Sequence, residues 1–151
     1  MKVTAIIPAR YASSRLPGKV LKDICGKTMI QRVYEQVTKA QNLDQVIVAT
    51  DDQRVYDEVE SFGGRVEMTA KEHSTGTDRL AEVAQNLDSD IIVNVQGDEP
   101  LLNPEMIDQA VEPLLNDQTI KMSTLKHQIT AEEELEDPNS VKVITDKNDF
   151  A

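Results

Sequence analysis

The sequence predicts an α/β domain with a mainly parallel sheet, and three observations carry that reading. Short β-branched apolar runs recur along the chain, nearly continuous in the way of strands covered on both faces. Stripes of apolar residues at helical spacing lie between them. No linker, repeat or low-complexity segment interrupts the 151 residues, which make one domain with room for a core.

The elements follow in order. VTAIIP (Val3–Pro8) reads as the first strand, and Met29/Ile30, Val33/Tyr34 and Val37 as the first helical stripe. QVIVAT (Gln45–Thr50) is the second strand. Val55, Val59 and Phe62 mark a second helix that Gly63-Gly64 ends before a short strand, Arg65–Met68. Leu80, Val83/Ala84 and Leu87 form a third helix, and DIIVNV (Asp90–Val95) the next strand. Asn103 followed by Pro104 has the chemistry of an N-cap and first helical position, opening a helix through Met106/Ile107, Ala110/Val111 and Leu114/Leu115. Ile120–Lys126 reads as a further strand, Thr130 and Glu133 as the capping box of a short helix, and Val141–Thr145 as a last strand. Turn chemistry at Asp146–Asp149 with only Phe150 and Ala151 beyond it predicts a chain that stops inside a hairpin, a piece of a longer protein.

Charge narrows the function classes. With 27 acidic against 16 basic residues, the net charge of −11 disfavours nucleic acid and anionic membrane as partners. No apolar run approaches the ~20 residues of a membrane helix, and arginines rather than a cleavage pattern follow VTAII, so the expected location is the cytoplasm. A single cysteine, Cys25, excludes an internal disulfide and reads as a small packed residue. Any anionic ligand must be met by a local group of cations.

One such group is present. PARYASSRLPGK (Pro8–Lys19) sets Arg10, Ser13, Ser14, Arg15 and Lys19 just beyond the first strand, where open α/β sheets bind ligands. Pro17-Gly18 bends the chain to return Lys19, and arginine forks with a lysine point charge suit a polyphosphate. A solvated basic loop is the plainer alternative. Two familiar phosphate motifs are absent: Gly26-Lys27-Thr28 lacks the P-loop glycine where Leu21 stands, and no G-x-G-x-x-G occurs. NVQGDEP (Asn94–Pro100) sets Asp98 and Glu99 after a turn at Gly97, either as an acidic strand cap or as a magnesium ligand facing a bound triphosphate. HSTGTDR (His73–Arg79) offers Ser74, Thr75 and Thr77 hydroxyls around Gly76, with Arg79 in the first helical turn; Thr77 as a plain N-cap is the alternative. His73 and His127 read as surface histidines.

Together these stretches, with DPNSVKV (Asp137–Val143), resemble the CMP-sugar synthetases, specifically the 3-deoxy-manno-octulosonate (Kdo) cytidylyltransferases, in identity, order and spacing from Val3 onward. The resemblance implies a Rossmann-like nucleotidyltransferase (GT-A-like) fold in three α/β/α layers, with residues 1–151 as its nucleotide-binding domain. It also implies CTP and Kdo as substrates, Mg²⁺ as cofactor, and a homodimeric parent protein. Arg10, Arg15 and Lys19 would hold the triphosphate with help from Ser13 and Ser14. Pro8 and Ala9 would border the cytosine; Ser74, Gly76, Thr77 and Arg79 would hold the nucleotide. Gln96 would reach the sugar and Asp98 the metal, with Arg10, Lys19 and Asp98 carrying catalysis. The family's members are longer, so two rivals stand beside this one: a non-catalytic CTP-binding fragment, and a cytidylyltransferase for another acidic sugar.

Overall fold

The computed structural model describes residues 1–12 and 16–151. Four strands, β1 (Val3–Ala9), β2 (Gln45–Thr50), β3 (Val66–Met68) and β4 (Ile91–Asn94), lie in the order β3-β2-β1-β4 among the described residues, every neighbouring pair parallel. Ile6 faces Ile47 on one side and Asn94 on the other, so β1 is the centre of the sheet. Among the described residues five α-helices accompany them: α1 (Met29–Val37), α2 (Gln53–Ser61), α3 (Gly76–Ala84), α4 (Pro104–Asn116) and α5 (Glu132–Glu136).

The pleat of β1 divides the core in two. Val3, Ala5, Ile7 and Ala9 pack with Ile30, Val33 and Val37 of α1, Val55 and Val59 of α2, and Ile107 and Val111 of α4. Ile6 points the other way and joins Ile47, Ala49 and Val83, the last from α3. Three layers result, with α3 covering one face of the sheet and α1, α2 and α4 the other. Each fully buried Val or Ile contributes ~1.5–3 kcal/mol relative to exposure, which is why these runs specify the sheet. The three-layer α/β fold is the one expected.

Several expectations are corrected. Ile120–Lys126 and Val141–Thr145 form no strand. A strand needs a ladder partner, and β4 pairs with β1 alone among the described residues. The turn after Val141–Thr145 does form: Asp146 accepts the Asn148 and Phe150 N–H groups at 2.8 and 3.0 Å. Helix α3 is capped by Thr75, not Thr77. Helix α5 has Ala131 at its N-cap and no capping side chain, so the Thr130–Glu133 box is absent. Cys25 is exposed, in a tight turn at φ 53°, rather than packed.

Candidate active site

Three chain segments meet beyond the carboxyl ends of β1 and β4 around a cleft of about 410 Å³. The first leaves β1 through Pro8 and Arg10 and comes back at Gly18. Gly18 adopts φ 68° and donates its N–H to the Tyr11 carbonyl at 2.8 Å, closing the loop. The Tyr11 ring lies only 3.0 Å from where a Cβ would stand, so a side chain there would crowd the ring as well as strain the left-handed backbone. On Tyr11 the Arg54 guanidinium stacks at 3.3 Å from the ring centroid, tying the loop to the start of α2. A single 3-10 turn, Lys19–Leu21, follows; Val20 is buried and also borders the cleft, beside Lys19.

The second segment is Ser74–Gly76 at the start of α3. Thr75 accepts the Asp78 N–H and Asp78 accepts the Thr75 N–H, both at 3.1 Å, a reciprocal box that satisfies two donors of the first turn. The Thr75 and Ser74 hydroxyls and the Thr75 N–H hold the Asp78 carboxyl below its usual range. The third segment is Gln96–Asp98. A Cβ on Gly97 would stand 2.9 Å from the Pro8 carbonyl oxygen, so this loop closes on the end of β1 only with glycine there.

The cleft's electrostatics are local to it. Lys19 Nζ pairs with Asp98 Oδ2 at 2.7 Å, both side chains remaining partly exposed. Arg10 donates from one terminal nitrogen to the His73 carbonyl at 2.8 Å, while its Nε is buried and has no partner among the described residues. A buried guanidinium donor without an acceptor is costly, and a bound anion would relieve it.

Of the residues expected in a site, Pro8, Arg10, Lys19, Ser74, Gly76, Gln96 and Asp98 line this cleft. Ser13, Ser14 and Arg15 lie outside the described residues. Ala9 is fully buried in the sheet and Thr77 stands exposed on α3, so neither borders the space. Arg79 does not line the cleft. It is fully buried, paired with Asp51 at 2.7 Å, and donates to the Thr69 hydroxyl and the Ala70 carbonyl. These bonds brace the chain before α3, and its Nε is buried without a partner among the described residues. Thr75, whose hydroxyl the sequence offered without assigning it to the nucleotide, and Ala12 also line the cleft. The signal for Thr75 was its position three residues before Asp78.

Comparison with known proteins adds the decisive observation: the sequence profile of the cytidylyltransferases matches residues 4–151. The chain belongs to the cytidylyltransferase family. The 3-deoxy-manno-octulosonate cytidylyltransferase of Geobacter metallireducens is 61% identical over 147 residues, 97% of this chain and 58% of the relative. The enzyme of the same name from Geotalea uraniireducens is 60% identical over 151 residues, covering all of this chain and 60% of the relative. A solved structure of CMP:2-keto-3-deoxy-manno-octonic acid synthetase complexed with CTP superposes with a TM-score of 0.78 at 47% identity, over 80% of this chain and 50% of the other. The chain therefore spans about 60% of the length of the cytidylyltransferases it matches.

Proposed function

We propose that the cleft is the nucleotide half of a site that transfers CMP from CTP to the anomeric hydroxyl of Kdo. The observation that carries this reading is the pairing of two cations, Arg10 and Lys19, with a single carboxylate, Asp98, around one cleft in a chain of net charge −11. Relatives at 60–61% identity named for that activity support the choice of substrates.

In this mechanism the sugar's anomeric oxygen attacks the α-phosphorus of CTP. A new P–O bond forms, the bond to the bridging oxygen of the β-phosphate breaks, the hydroxyl proton passes to solvent water, and pyrophosphate leaves. Little covalent chemistry falls to the protein, whose part is positioning and charge neutralisation. Arg10 offers its unpartnered Nε–H to a phosphate oxygen. Lys19 exchanges Asp98 for phosphate as the triphosphate enters, and so offsets charge that builds on the leaving group. Gln96, exposed at the rim, faces the acceptor sugar. Backbone and hydroxyl groups of Ser74–Gly76 hold the nucleoside end.

Magnesium fits the donors available. Among the described residues no group of three or more His, Cys, Asp or Glu could hold a metal, so an all-protein cage is excluded for them. Asp98, partly exposed and with Lys19 on one oxygen only, can supply one ligand while phosphate oxygens and water supply the rest, the usual arrangement for this ion. When bound, the ion supplies neutralisation of phosphate charge.

Calorimetric titration with CTP and with cytidine tests the reading. CTP should bind far more tightly than cytidine in the presence of Mg²⁺, and equal affinities would remove the phosphate role of Arg10 and Lys19. Pyrophosphate release that depends on Kdo tests transfer itself. Release with other acidic sugars but not Kdo would reassign the acceptor.

A further inference from the structure

Behind the cleft lining, Glu82 joins two of its walls. It lies on α3 outside the HSTGTDR stretch and does not border the cleft. Its carboxylate accepts the Ala70 N–H, at 3.0 Å to Oε2 and 3.3 Å to Oε1, and Oε2 also pairs with His73 Nε2. The His73 carbonyl accepts the Arg10 guanidinium at 2.8 Å. A continuous line thus runs from α3 through the His73 ring and backbone to the cation that faces the cleft. Bonds from His73 and from the Ala70 N–H hold the Glu82 carboxyl below its usual range, so the anchor stays ionised near neutrality.

We propose that Glu82 is a positioning residue: acting through His73, it holds the turn from Ala70 to Ser74 so that the His73 carbonyl aims Arg10 at the nucleotide's phosphates. Arg10 is long and has many rotamers, and a guanidinium aimed in advance loses less freedom on binding. One terminal nitrogen is engaged by the turn, which leaves Nε and the other terminal nitrogen directed by that anchor. Arg79 braces the same turn from the buried side, through Thr69 and Ala70. Its removal would leave Asp51 without its partner and disturb the fold, so Glu82 is the cleaner probe.

This inference rests on the nucleotide reading, and the experiment separates the two. CTP affinity is measured by calorimetry for the whole chain, for Glu82→Ala, Glu82→Gln and Arg10→Ala, and for the Glu82→Ala/Arg10→Ala double variant. The loss expected for Glu82→Ala is ~10-fold in CTP affinity, within the range of coupling between residues of one hydrogen-bond network. Glu82→Gln, which keeps an acceptor for Ala70, should recover part of it. In the double variant Glu82→Ala should cost nothing beyond Arg10→Ala, because both act through one guanidinium. Losses that simply add, or an equal loss of cytidine affinity, would reduce Glu82 to a structural brace and overturn the proposal. Amide exchange without ligand gives the second readout: Glu82→Ala should speed exchange across His73–Gly76, and unchanged exchange there overturns the proposal as well. Absence of CTP binding by the unaltered chain would instead sink the nucleotide reading, leaving exchange to decide this one.

Discussion

Gly97 and Pro8 show how much of the cleft is set by single atoms. The Gly97 Cα passes so near the end of β1 that a methyl group would meet the Pro8 carbonyl oxygen at 2.9 Å. Backbone cannot step aside as a flexible side chain can, so Gly97→Ala should cost ~1–3 kcal/mol, the range for overpacking, read as a lowered midpoint in thermal unfolding. Unchanged stability would mean that the loop after β4 opens freely. Asp98, beside it, is the opposite kind of residue. It is partly exposed with Lys19 as its partner, so Asp98→Asn should leave the fold intact. In a catalytically complete protein the same change should lower turnover by ~10²-fold, comparable to losing one preorganised electrostatic group. Near-normal turnover at saturating magnesium would take Asp98 out of the metal role. Both residues were legible from the sequence, because a glycine followed by carboxylates at a strand end has few uses. Arg79 was not. Its partner Asp51 lies 28 positions away, and the motif around it gives no sign that its side chain turns inward.

At the scale of elements, the strands and helices that could be read are those with packing partners among the described residues. β2 has the expected boundaries, β1 ends one residue later, and β4 is shorter by one residue at each end. The start of α4 follows from its capping chemistry: Asn103 accepts the Glu105 N–H at 3.2 Å and Pro104 stands first in the helix. By contrast, Ile120–Lys126 and Val141–Thr145 carry strand-forming residues without a neighbouring ladder, and propensity alone does not hold them. The alternative of Thr77 as the cap of α3 places it two residues late, since Thr75 and Thr77 flank the same glycine and only the box with Asp78 distinguishes them. That box makes a pH prediction. Asp78 has a carboxyl held below its usual range in the folded chain, so its contribution is fully present above the unfolded carboxylate pKa of ~3.9 and is lost as pH falls through the lower, folded value. The first turn of α3, and with it the Ser74–Gly76 wall, should therefore loosen only in acid below about pH 4. Carboxyl titration by NMR alongside exchange of the Asp78 amide checks this; loosening that begins well above pH 4 would take control of the turn away from Asp78.

For the molecule as a whole, charge and apolar surface pull in opposite directions. Among the described residues β4 has an open edge, and beside it a groove of about 660 Å³ runs between β4, α4 and Met122–Leu125. Leu101, Met122, Val141 and Ile144 are 90%, 86%, 99% and 89% exposed. An unpaired edge beside an apolar groove is a template for another strand, and a second copy of the 151-residue chain carries the same edge. Against this stands the net charge of −11, which makes two copies repel at long range. Salt decides which wins, because the Debye length falls from ~30 Å at 0.01 M to ~8 Å at 0.15 M while apolar contact is untouched by screening. The chain should thus be monomeric in dilute buffer and self-associate as ionic strength rises, with light scattering increasing across a concentration series. A Lys at Ile92, on the edge strand, should suppress the effect through the same logic that natural edge strands use. If scattering stays that of a monomer at every salt and protein concentration, the edge is blocked, and the exposed side chains between Met122 and Ile144 are what to probe for the cover.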